Sequence, residues 1–117
     1  MKYIAGYASV FNVYDLKYDM IMPGAFQKTL QKKWPKMILE HNINKPLGVW
    51  HKALEDPKGL WVEGEIFTDI PLSDKSLSIG FHNPKYFYKN HHRHIFELEL
   101  AEISLVEHAA NPLSEIR

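Results

Sequence analysis

The chain has 117 residues, enough for one hydrophobic core and short for two, so residues 1–117 read as a single domain. Apolar residues at 45% and charged residues at 24% suit an ordinary globular protein; 14 basic side chains balance 14 acidic ones, so no net field argues for nucleic acid or an anionic membrane as partner. Cysteine is absent, which excludes disulfides, thiolate metal sites and a cysteine nucleophile. With no signal-peptide core in MKYIAGYASVFN and no apolar run near the roughly 20 residues that span a bilayer, a cytoplasmic location is expected.

From Tyr3 to Phe11 the chain alternates, with Tyr3, Ala5, Tyr7, Ser9 and Phe11 on one face and Ile4, Gly6, Ala8 and Val10 on the other, which predicts a strand. Asn12 to Met20 has no period and reads as a loop. Pro23-Gly24 opens a helix over Ala25 to Lys33, with Phe26, Leu30 and Trp34 at helical spacing and Gln27, Lys28, Gln31 and Lys32 outward; Pro35 ends it. Lys36 to Glu40 is a short apolar strand that delivers His41 at its end, and Pro46 to Ala53 is another. Asp56-Pro57-Lys58-Gly59 has the residues of a tight turn, so Leu60 to Phe67 returns as a hairpin partner. Asp69 to Ser76 is a loop, Leu77 to Phe81 a short strand, Asn83 to Asn90 irregular and aromatic. His94 to Val106 is the longest strand-like run, bent or bulged, and the last five residues form a tail or a helical turn. These elements imply a mainly β fold: a small closed or nearly closed β-barrel, or a strongly curved sheet, of six or seven strands with a helix packed on it.

Three positions carry candidate chemistry. Glu102 shares strand parity with Phe96, Leu98, Leu100, Ser104 and Val106, so alternation turns a carboxylate towards the apolar side while Glu97 and Glu99 face water. An inward carboxylate costs several kcal/mol unless paired or hydrogen-bonded, and a histidine partner satisfies it. The alternatives are a bulge near Ala101 that turns Glu102 outward, or a structural pair with Lys or Arg. His41 ends an apolar strand, where its ring projects into any pocket at the mouth of the sheet. Ser78 lies between Leu77 and Ile79, with Gly80 two residues on to permit close backbone approach; Ser73 and Ser76 are its competitors. Base, nucleophile and acid in one chain is the composition of a hydrolytic triad, which is recognised by roles and not by chain order. The run Asn90-His91-His92-Arg93-His94 invites a metal, but no HExxH or facial carboxylate pattern accompanies it, and no metal or cofactor is expected. Aromatic and basic residues interleave from Lys85 to Arg93 without a wider basic field, so no nucleic-acid partner is expected.

Five segments in order resemble the prohead (procapsid) maturation proteases of tailed phages, the HK97-type family: GYASVFN with Asp15, Asp19 and PGAF; MILEHNINKPLG; EDPKGLWVEGEI; SLSIGF; and ELELAEISLVEHAANP. The resemblance implies a serine protease with the herpesvirus assembly-protease fold, a β-barrel of about seven strands with helices around it. By the same resemblance His41 is the base, Ser78 the nucleophile and Glu102 the acidic residue of the E-[IV]-S-L-V segment; His108 is the alternative third member, since the viral relatives use a histidine. The implied task is cleavage of scaffold, capsid precursor and the protease itself inside the new procapsid, and a homodimer is implied by the viral proteases. Two departures support the rival reading of an inactive, prophage-encoded assembly module that binds scaffold. Only TDIPLSDKS separates Phe67 from Leu77, where the family carries a longer insert, and Ala109 replaces a usual proline shortly before the sequence stops. Oxyanion donors are expected from Gly80 or from Ala109 to Asn111.

Overall fold

The computed structural model describes residues 2–117. The elements run β1 (Lys2–Val10), β2 (Met20–Ile21), α1 (Gln27–Lys32), β3 (Lys36–Leu39), β4 (Asn42–Glu55), β5 (Gly59–Ile66), β6 (Ser76–Lys89), β7 (His92–Val106) and β8 (Glu115–Ile116). The fold is mainly β, as the alternation implies. The eight strands form one sheet in the order β2-β7-β3-β4-β5-β1-β8, with β6 on the remaining edge of β7. No ladder joins β6 to β1 among the described residues; the two strands pack side by side, and the sheet stays open where a closed barrel would have its last seam. Side chains from the C-terminal segment cap the edge of β1 at this seam: Ser114 Oγ donates to the Ala8 carbonyl and Asn111 Nδ2 to that of Val10. Among the described residues, no helix is long and apolar enough to cross a membrane.

The core gathers Leu60, Val62 and Ile66 from β5, Leu77 from β6 and Leu98, Leu100, Ile103 and Leu105 from β7, with Phe11, Phe26 and Trp50 as its large aromatics. β7 is buried on both faces in its second half: Ile103 and Leu105 join the apolar core, while Glu102 and Ser104 on the other face hydrogen-bond to each other and to His41. That is why Ile103 and Leu105 are as buried as Ser104 between them, although strict alternation would expose one set.

Several boundaries differ from the sequence expectations for local reasons. The helix is six residues long; Pro23 to Phe26 form turns, held because the Glu55 carboxylate accepts the N–H groups of Gly24 and Phe26 at 2.7 and 2.9 Å. Residues 83–89 are not irregular: β6 runs through them to Lys89, absorbing its bends as register shifts against β7. In β1 a shift between Tyr7 and Ser9 breaks the alternation, so Ser9 and Val10 are both buried. The tail is neither loose nor helical, since Glu115–Ile116 pair with Gly6 and Tyr7.

Candidate active site

The turn between β3 and β4 holds just Glu40 and His41, with Leu39 paired to Asn42 across it. Both residues have positive φ, 49° and 58°, as a two-residue type I′ turn requires. His41 is therefore a turn residue and not the last residue of a strand. Non-glycine residues adopt this conformation at a cost of the order of 1–3 kcal/mol, so surrounding contacts must hold it. Three do: the Glu40 N–H donates to the Leu105 carbonyl, the Glu107 N–H donates to the Glu40 carboxylate, and the His41 N–H donates to Ser104 Oγ at 3.1 Å.

The β6–β7 ladder supplies the rest. Its register sets Ser78 opposite Ser104 and Gly80 opposite Glu102. Directly paired residues share a face, so Ser78, Ser104 and Glu102 project to one side of this two-strand ribbon. Gly80 leaves the fourth corner empty: a Cβ there would collide with the Glu102 carboxylate. Glu102 is 9% exposed, but not through the parity expected: the register shift between Gly80 and Phe81 leaves Ala101 as an extra residue, so Glu102 lies on the face opposite Leu98 and Leu100, beside Ser78 and Ser104. His41 Nδ1 lies 2.7 Å from Glu102 Oε1, and the Ser104 hydroxyl donates to Oε2. A carboxylate acceptor on Nδ1 places the ring proton there and leaves Nε2 as the basic nitrogen. The Glu102 pair is with histidine and not with Lys or Arg; His108 is exposed and takes no part in it.

Ser78 and His41 line one cleft of about 570 Å³, at the open seam between β1 and β6. Ser78 is nearly buried. Among the described residues no hydrogen bond joins its hydroxyl to His41, whose ring bonds Glu102 instead. Gly80, Ala110 and Asn111 border the same cleft, whereas residues 68–76 do not. The shortened segment therefore forms no part of the cleft wall. Ser73 is exposed and Ser76 also lies outside the lining, so neither competitor meets His41 there.

The far wall comes from the loop after β1 and from β7. Asp19 is buried and holds Arg93 through two bonds of 2.9 and 2.7 Å, which push the guanidinium pKa further up. Asp15 accepts the backbone N–H groups of Lys17 and Asp19; burial pushes its carboxyl pKa up, and those N–H groups oppose the shift. Of the histidine run, His94 is buried, shares a hydrogen bond with the Tyr14 hydroxyl and packs edge-on to that ring, while His92 stacks near Tyr18. The sequence signal for Asp19 and Arg93 is weak, since 74 residues separate two charges that mean nothing individually.

A serine on a strand, a histidine in a held turn and a buried carboxylate on its ring nitrogen are the residue types that serine hydrolases combine. Comparison with known proteins agrees. The family model described as "Caudovirus prohead serine protease" matches residues 1–117. Over an aligned length of 64 residues, covering 52% of this chain, it is 42% identical to the prohead protease of Enterobacteria phage HK97, of whose length the match covers 28%. The chain belongs to the caudovirus prohead serine protease family.

Proposed function

We propose that this chain is a working endopeptidase in which Ser78 attacks the peptide carbonyl, His41 takes its proton and returns it to the leaving amine, and Glu102 holds the imidazole in the required tautomer. The observation that carries the reading is the 2.7 Å contact between His41 Nδ1 and Glu102 Oε1 beside a cleft that also contains Ser78. A free serine hydroxyl is a weak nucleophile at neutral pH, and the imidazole supplies the activation. Backbone N–H groups at Gly80 or at Ala110–Asn111 are the candidates for the oxyanion site, since these residues border the cleft. The substrates that suit the family are the phage capsid precursor, the scaffold protein and the protease itself, within the assembling procapsid.

The test is co-expression of wild type and Ser78→Ala with the neighbouring capsid and scaffold precursors, with product masses read by mass spectrometry. Cleavage by wild type is expected to fall by roughly a thousandfold or more in Ser78→Ala, leaving the fold intact. A precursor bound but cut by neither protein would establish the inactive assembly module instead.

A further inference from the structure

Ser104 is fully buried, yet its single hydroxyl serves two partners in the site. It accepts the backbone N–H of His41 at 3.1 Å and donates to Glu102 Oε2. Glu102 uses its other oxygen for the His41 ring. The three residues thus close a small loop of hydrogen bonds, from His41 backbone to Ser104 to Glu102 to His41 ring, so the main chain and the side chain of the base are referred to the same carboxylate.

We propose that Ser104 is a positioning residue for the triad, resting on the reading of Ser78, His41 and Glu102 given above. Two physical requirements make the hydroxyl necessary. The first is backbone: His41 has φ of 58°, and a non-glycine residue keeps that conformation only while its surroundings fix it. Glu40 is held by Leu105 and Glu107, but among the described residues the bond to Ser104 is the one side-chain bond at the His41 main chain. The second is rotation: a carboxylate bonded through one oxygen can swing about its last torsion, whereas bonds at both oxygens fix its plane. A buried carboxylate with one oxygen unpaired would also carry an uncompensated desolvation cost. Register makes the arrangement possible, because Ser104 sits opposite Ser78 and two residues from Glu102 on the same face. Ser104 itself touches no reacting atom; it acts through His41 and Glu102.

The test uses the whole chain and a fluorophosphonate, a general serine-hydrolase reagent that reports the reactivity of Ser78 without a natural substrate. Three quantities are read for wild type, Ser104→Ala, Ser104→Cys and Ser104→Thr: the rate of adduct formation at Ser78, hydrogen exchange at the His41 amide, and Tm. Ser104→Ala is expected to label roughly 10- to 100-fold more slowly, the loss of one bond to a charged group. It should also lose protection of the His41 amide and melt several degrees lower while staying folded, since Glu102 Oε2 and the His41 N–H lose their partner. Ser104→Thr, which keeps the hydroxyl, should recover both the rate and the protection. Ser104→Cys, nearly the same size and a far weaker donor, should behave like alanine, and it replaces alanine if that variant fails to fold. Wild-type labelling in Ser104→Ala, or a His41 amide that stays protected there, overturns the role of Ser104 alone. Wild-type protein that forms no adduct at Ser78 overturns the triad reading, and the role of Ser104 falls with it.

Discussion

At the scale of single residues, the site depends on what is absent at Gly80 as much as on what is present at Glu102. A methyl group at Gly80 would occupy the space of the carboxylate. Gly80→Ala is therefore expected to push Glu102 off the His41 ring and to lower the labelling rate of Ser78 by about 100-fold or more. The fold should survive, because the obstacle is the end of a side chain and not backbone; a Gly80→Ala protein with wild-type reactivity would contradict this. The glycine was visible in SLSIGF, but its reason was not. The sequence suggested room for a substrate or an oxyanion donor, whereas its nearest obligation is to the residue paired with it across the ladder. That pairing cannot be read from either strand separately. Glu102 was legible as a carboxylate in an apolar run that must find a partner, but strict alternation misplaced it, because the bulge at Ala101 takes it out of phase with Leu98 and Leu100. The failure of the same rule at Ser9 has an equally local cause, the bulge that follows Tyr7.

At the scale of elements, turns and caps decide where the strands begin. Asp56 accepts the N–H groups of Lys58 and Gly59 in the β4–β5 turn, and the Tyr7 hydroxyl of β1 donates to it at 2.6 Å. That hydroxyl, followed by the two turn N–H groups, holds the Asp56 carboxyl below its usual pKa. A depressed carboxylate contributes stability above the unfolded pKa of about 3.9, and loses it as pH falls through the lower folded value. Tyr7→Phe should therefore lower the urea midpoint at pH 7, and the gap to wild type should shrink at pH 2. A gap that stays constant would mean the tyrosine acts through packing on Trp61 and not through Asp56. The turn was readable from Asp-Pro-Lys-Gly, since each residue there acts locally. The helix was readable in its outward face, Gln27, Lys28, Gln31 and Lys32 all being exposed, but not in its length. Its start is fixed by Glu55, 29 residues further on than Phe26. Thr29 ties the helix to the sheet by accepting the Leu100 N–H at 2.9 Å. Thr29→Val keeps the shape and strands a buried donor, so a loss of about 1–3 kcal/mol is expected in denaturant titration.

At the scale of the whole molecule, the cleft exists because the sheet does not close. β6 and β1 face each other across the seam, the C-terminal segment covers the edge of β1, and the loop carrying Asp15 and Asp19 forms the far wall. The Asp19–Arg93 pair fastens that loop to β7. Arg93→Leu would leave the Asp19 carboxylate buried without its partner; partial exposure of Arg93 reduces the cost, and a loss of about 2 kcal/mol is expected in the same titration. An unchanged midpoint would show that the loop is held by its aromatic contacts with His92 and His94 instead. None of this closure was legible in the sequence, because a seam is defined by strands that fail to pair. What was legible was a pair of residues, His41 and Ser78, that both line the cleft.

The most direct test of the central claim is peptide mapping after fluorophosphonate treatment of the wild-type chain and of His41→Ala. The account requires one adduct, on Ser78, formed by wild type and nearly lost in His41→Ala. An adduct on another serine, or labelling of Ser78 at the same rate without the imidazole, would contradict it.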